Sequence, residues 1–126
     1  PLASGLLSGK ITAETNFDKN DHRFFNRDGK AFDKGETFSG VPLEMAFPAI
    51  EELKGEFSGG NDLAAMAIRW ILMFEQIGTV IPGASRVEQV IQNVAAAQLP
   101  PLSPKQMKEA SRIYKKYIKK EVHFHW

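Results

Sequence analysis

The stretch Thr79-Val80-Ile81-Pro82-Gly83-Ala84-Ser85-Arg86-Val87-Glu88-Gln89-Val90-Ile91-Gln92-Asn93 reads as a short buried strand, a tight turn and the start of a helix. Thr79, Val80 and Ile81 are β-branched and favour extended backbone; Pro82 has no N–H to extend a ladder; Gly83 tolerates a turn conformation. Ser85 and Glu88 have the spacing of a capping box, in which the serine hydroxyl takes the N–H three residues on and the carboxylate reaches back. Such a helix start carries free N–H groups at the positive end of the helix dipole, and Arg86 adds a full charge. The residues alone leave two readings open: an ordinary, well-capped strand–turn–helix connection, or an anion site suited to a phosphate.

Working outward, the helix after the turn is expected from Arg86 to Ala97, with Val87, Val90, Ile91 and Val94 as its packed face. Gln89, Gln92 and Asn93 fall at i, i+3 and i+4, so their amides either converge on one region or are plain surface polarity. Upstream, Asn61 or Asp62 caps a helix to about Gln76, apolar nearly all round and therefore expected to be buried on several sides. Before it, Leu43, Phe47, Ile50, Leu53 and Phe57 recur at helical steps. Pro48 predicts a break or kink, so the firm part is Ala49 to Phe57, closed by Gly59 and Gly60. Downstream, Ser103-Pro104-x-Gln106 is a second capping box, opening a helix to about Lys120. Its stripe is Met107, Ala110, Ile113, Tyr114, Tyr117 and Ile118, and its other side is basic. That basic side is either solvated or a binding face.

The chain opens on PLASGLLSGK, Pro1 to Lys10, where Gly5 and Gly9 allow close backbone approach and Ser4, Ser8 and Lys10 suit an anion; taken alone, a surface loop fits as well. Residues Ile11 to Val41 are polar and without sustained period, yet carry Phe24, Phe25, Phe32 and Phe38. Such a stretch reads as a long loop that docks by its aromatics when its partner surface is present. The tail, Val122-His123-Phe124-His125-Trp126, holds paired histidines, but no carboxylate or cysteine completes a metal set, so no metal is expected.

The 126 residues suit one small domain, and a net charge of +1 gives no general case for nucleic acid. There is no cysteine and no apolar run of membrane-spanning length; the expected compartment is the cytoplasm, with no membrane partner. The opening Pro1 fits a processed protein or a piece of a longer chain. The segments are thus 1–41 (two loops), 42–76 (helices), 79–97 (strand and helix) and 103–126 (last helix and tail). One confident strand among at least four helices is an α/β pattern with its other strands missing. A lone strand leaves its backbone groups unpaired, so the partners must come from further chain or from a second copy.

Three motifs, in register, resemble the aldo-keto reductase family: PLASGLLSGK, IRWIL (Ile68 to Leu72) and VIPGASRVEQVIQN (Val80 to Asn93). The family fold is a TIM (β/α)8 barrel, so the resemblance implies the C-terminal part of such a barrel, from just after its seventh strand, mostly helical here. It implies an oxidoreductase moving hydride between NADPH and an aldehyde or ketone. It implies that Pro1, Leu2, Ala3, Gly5 and Lys10 wrap the pyrophosphate and that Arg23 helps fold a loop over the cofactor. Gly83, Ser85, Arg86, Gln89, Gln92 and Asn93 would hold the adenosine and its 2′-phosphate. The family's catalytic Asp, Tyr, Lys and His lie on earlier strands, so no catalytic residue is expected here and the segment alone should be inactive. A different class of function stays open: a non-catalytic helical interaction module, bound through its basic last helix.

Overall fold

The computed structural model describes residues 1–32, 34, 40–57 and 62–125. The expectations for Phe38, Gly59, Gly60, Asn61 and Trp126 lie outside them. The order of elements is a 3-10 turn Leu6–Ser8, α1 His22–Phe25, α2 Leu43–Phe57, α3 Leu63–Ile71, α4 Val87–Ala96 and α5 Pro104–Ile113. A π turn Tyr114–Ile118, α6 Lys119–Val122 and a 3-10 turn His123–His125 complete it. No helix among the described residues is long and apolar enough to cross a membrane.

The helix starts follow local chemistry. Asp62 caps α3 by accepting the Ala64 N–H at 2.9 Å. Ser103 caps α5 by accepting the Gln106 N–H at 3.3 Å, while Gln106 Oε1 accepts the Ser103 N–H at 2.9 Å. Both matched their sequence signatures because a cap needs only neighbours in the chain.

α2 runs without interruption through Pro48, where the sequence predicts a break. Proline removes one helical bond, to the carbonyl of Glu44, and both residues lie on the exposed side, where water can serve that carbonyl. The opposite face buries Ala46, Ala49, Ile50 and Phe57. α3 stops at Ile71, short of the expected Gln76, because its last turn tightens to i−3 bonds (Met73 N–H to Trp70 at 3.1 Å, Phe74 N–H to Ile71 at 3.3 Å). Only Met66 and Ile68 of α3 are fully buried, so its all-round apolar character is only partly covered.

The core divides into two clusters. Leu6, Val41, Ala46, Ile50 and Val122 form one, and Phe57, Met66 and Leu102 form the other; Leu53 touches both. α2 packs on α5 and the π turn, and α3 packs on α4 and the first 3-10 turn.

The predicted strand is corrected. No strand forms among the described residues, and Thr79 to Ile81 run as irregular chain with Ile81 83% exposed. The β-branched run supplies the preference for extension, but a strand exists only where a neighbour accepts and donates its ladder bonds. The expected packed face of the next helix is corrected for the same reason. Val87, Val90, Ile91 and Val94 are all exposed, from 51 to 72%, and only Ala96 of α4 is buried. The period is helical, as expected, but nothing in the fold covers the apolar side.

In the long polar stretch, Asn26 is fully buried and fully bonded. Its Oδ1 accepts the N–H groups of Ala31 and Phe32, both at 2.9 Å, and its Nδ2 donates to the Phe32 carbonyl. Phe24, Phe25 and Phe32 are 51, 48 and 41% exposed, and Phe25 meets Phe32 edge-on with ring centres 5.9 Å apart.

Ile113, 2% exposed, and Ile91, 63% exposed, make a matched contrast. In urea unfolding, Ile113→Ala should cost about 2–5 kcal/mol, whereas Ile91→Ser should stay within about 0.5 kcal/mol.

Candidate functional site

Residues 1–10 fold into a coil that is tightly wound on itself. Ala3, Ser4 and Gly5 all have positive φ (47, 54 and 92°), a run that non-glycine residues rarely adopt. The coil is held by Gly5 N–H to Leu2 at 3.0 Å, Leu6 N–H to Ala3 at 3.1 Å and Leu7 N–H to Leu2 at 3.1 Å. Leu6 drops into the core beneath it. Gly9 has a φ of +69°, which favours glycine, and Lys54 Cε lies 2.9 Å from where a Cβ would stand.

Arg23 brackets this coil. Its Nε and Nη2 donate to the two carboxylate oxygens of Asp21 at 2.9 and 2.5 Å, and its Nη1 donates to the Ser4 carbonyl at 3.3 Å. The guanidinium carbon lies 4.3 Å from the centre of the Phe17 ring. A planar fork with three donors suits this double duty, which lysine could not perform. Arg23 thus meets the coil at Ser4, as a bracket whose charge Asp21 already meets. Ser4 Oγ is buried without a partner among the described residues. Lys10 is exposed, and Lys54 reaches the same coil beside Gly9. Nothing in the sequence around Lys54 signals a contact with residues more than forty positions away.

The second group sits at the start of α4. Gly83, Ser85 and Arg86 are all exposed, and the space where a Gly83 Cβ would stand is open. Arg86, not Ser85, is the N-cap, with φ −144° and ψ 151°. The residue that reaches back is therefore Gln89, not Glu88. Its Oε1 accepts the Ser85 N–H at 2.7 Å, the Ser85 hydroxyl at 3.1 Å and the Arg86 N–H at 3.2 Å. Shifting the cap by one residue moves position N3 from Glu88 to Gln89. Two features of an anion site remain: the N–H groups of Val87 and Glu88 have no partner, and Arg86 forms no ion pair, among the described residues. Gln92 is exposed and Asn93 half-buried one turn further on. The coil and α4 pack against the same helix, α3.

The Arg23 hydrogen bond, with its charge and the Arg23 N–H, holds the Asp21 carboxyl down from 3.8 to about 2. A depressed acid stabilises the fold above its ordinary range and loses that contribution as pH falls towards its folded value. NMR titration of the Asp21 carboxyl should give a midpoint of about 2, and Arg23→Gln should return it towards 3.8. The bracket should therefore weaken below about pH 4 and be lost near pH 2.

Comparison with known proteins bears on both groups. The sequence model of the Aldo/keto reductase family matches residues 1–115. The chain is 32% identical over 96 residues to L-glyceraldehyde 3-phosphate reductase of Escherichia coli O157:H7, covering 76% of this chain and 26% of that protein. It is 33% identical over 115 residues to aflatoxin B1 aldehyde reductase member 4 of Homo sapiens, covering 82% of this chain and 34% of that one. A rat relative, aflatoxin B1 aldehyde reductase member 2, is 32% identical over 111 residues. The chain thus spans about a quarter to a third of the curated relatives it matches. No solved structure matches.

Proposed function

The chain belongs to the aldo/keto reductase family, and on that premise we propose that it is the NADP(H)-gripping C-terminal part of a (β/α)8-barrel oxidoreductase acting on an aldehyde or ketone. The observation that carries the proposal is the start of α4: two N–H groups and an Arg86 without partners among the described residues, and an open glycine turn, all facing solvent. These residues fit a phosphate dianion. The helix terminus supplies oriented dipoles, and the arginine supplies a planar, permanently charged fork.

In this reading Arg86, with the Val87 and Glu88 N–H groups, holds the 2′-phosphate. Gln92 and Asn93 present amides to the adenine. Gln89 rigidifies the turn from within by holding Ser85 and Arg86 in place. The coil of Pro1, Leu2, Ala3 and Gly5, bracketed by Arg23, lies along the pyrophosphate, with Lys10 nearby as counter-charge and the orphaned Ser4 hydroxyl as a further donor. When bound, the nicotinamide supplies hydride to the carbonyl carbon. This chain's own residues bind and orient the nucleotide, and the proton comes from elsewhere in the barrel, so the segment alone should not turn over substrate.

The uncovered apolar surface supports the same reading. A barrel would bring neighbouring strands to residues 79–81 and to the Val87, Val90, Ile91 and Val94 side of α4, which the chain leaves exposed. The alternative is an interaction module using the basic last helix, on which Arg112 and Lys116 pair with Glu52 at 2.8 and 2.5 Å while Lys115, Lys119 and Lys120 are exposed.

The test is Arg86→Ala in the full-length protein. Loss of a charge-assisted phosphate contact should weaken NADPH about 10- to 100-fold and NADH about twofold or less, read by fluorescence titration. Equal losses for the two nucleotides would remove the 2′-phosphate role.

A further inference from the structure

Both glycines of the N-terminal coil make room for a cation. Gly5 has a φ of +92°, and Arg23 Nη1 lies 3.3 Å from where a Cβ would stand. At Gly9 the Lys54 stem passes closest, with Cε 2.9 Å and the ammonium 3.9 Å from the same position. One cation comes from α1 and the other from α2. Between them the coil closes on itself, the Ser8 and Gly9 N–H groups donating to the Gly5 and Leu6 carbonyls at 3.0 Å.

The two cations are not equally committed. Arg23 donates to both oxygens of Asp21, whose carboxyl is held down to about 2. The pair is half-buried, and the arginine also holds the Ser4 carbonyl and lies on the Phe17 ring. Lys54 is paired with Glu51 Oε1 at 2.7 Å, three residues back on the same helix, and Glu51 is exposed. A surface pair of that spacing is weak and is screened by salt. A diphosphate, with a negative charge on each phosphoryl group, offers the ammonium a stronger, charge-assisted bond. Lysine suits such an exchange, because its three donors turn freely on a flexible stem. That stem is laid against Gly9, which keeps the ammonium beside the coil. Lys10 follows Gly9 and is exposed, adding a second ammonium to this end of the coil.

We propose that Lys54 is a further nucleotide-binding residue: its ammonium passes from Glu51 to the diphosphate that lies along the coil. This rests on the reading of residues 1–10 given under Proposed function, and it adds α2 to the elements named there. Glu51 holds the ammonium in place for the exchange and competes with the phosphate for it. The diphosphate is common to NADPH and NADH, so Lys54 serves both nucleotides alike, whereas Arg86 serves NADPH.

The experiment uses the full-length protein and four variants: Lys54→Met, Lys54→Arg, Glu51→Gln and Lys10→Ala. Each is titrated with NADPH and with NADH. Methionine keeps an unbranched stem against Gly9 and removes the charge. Lys54→Met should weaken both nucleotides about fivefold, Lys54→Arg should stay within about twofold of the unaltered protein, and Glu51→Gln should tighten both about twofold. Hydrogen exchange at the Gly9 amide, bonded to the Leu6 carbonyl, should be unchanged in Lys54→Met. Faster exchange there together with weaker binding makes the lysine a prop for the coil and overturns the binding role. A loss confined to NADPH moves Lys54 to the 2′-phosphate and overturns the diphosphate contact. Unchanged affinity in Lys54→Met, while Lys10→Ala weakens both nucleotides, removes Lys54 alone. Unchanged affinity in both variants removes the nucleotide reading of residues 1–10, and Lys54 with it.

Discussion

The inward face of α2 sets the terms for the rest of the molecule. Ala46 and Ala49 are buried on it, while Ile50 and Phe57 project one into each core cluster. Leu6 arrives from the N-terminal coil and Val122 from the far end of the chain, and both end against this face. Apolar burial of a few such side chains, about 1.5–3 kcal/mol each, outweighs the surface ion pairs around them. The Glu52 cluster is better understood as setting register than as a main source of stability.

The same face explains how a coil with three successive positive-φ residues persists. At Ala3 and Ser4 such backbone costs of order 1 kcal/mol or more per residue, while Gly5 adopts it readily, and it survives where the surroundings over-determine it. Here Leu6 is pinned from below and Ser4 is bracketed from the side by Arg23, itself tied to Asp21 and laid on Phe17. Strain held in this way keeps backbone groups and the Ser4 hydroxyl in a preset arrangement, which is what a loop gripping a nucleotide needs.

The start of α4 works by the opposite principle. It has little tertiary support: its apolar side is open and the chain before it pairs with nothing among the described residues. Its geometry is local, held by one glutamine amide oxygen that collects three donors. The two halves of the proposed nucleotide site therefore differ in kind. One is built by long-range packing, and the other is a self-contained cap on a helix whose remaining surface calls for a barrel.

What the amino-acid order determined was everything that closes within a few residues. The Ser103–Gln106 cap, the Asp62 cap, the extent of α4 and the exposed, cationic helix start at Arg86 were legible because their partners are near neighbours, whereas the last helix, expected to run to about Lys120, gives way to a π turn after Ile113. The family motifs were legible for the same reason, as short runs of fixed spacing. The turn around Asn26 was within reach too, since Asn-x-x-Gly at Asn26 and Gly29 is a common turn pattern. Tertiary structure alone decided the rest. Whether Thr79 to Ile81 become a strand depends on a ladder partner, and whether Val87 to Val94 are buried depends on a surface to meet them; neither is encoded in the run itself. That Pro48 rides inside α2, that Lys54 sits beside Gly9 and that Leu6 and Val122, from opposite ends of the chain, belong to one buried cluster are likewise facts of packing. Periodicity says which face of an element is apolar, while only the assembled chain says what, if anything, covers it.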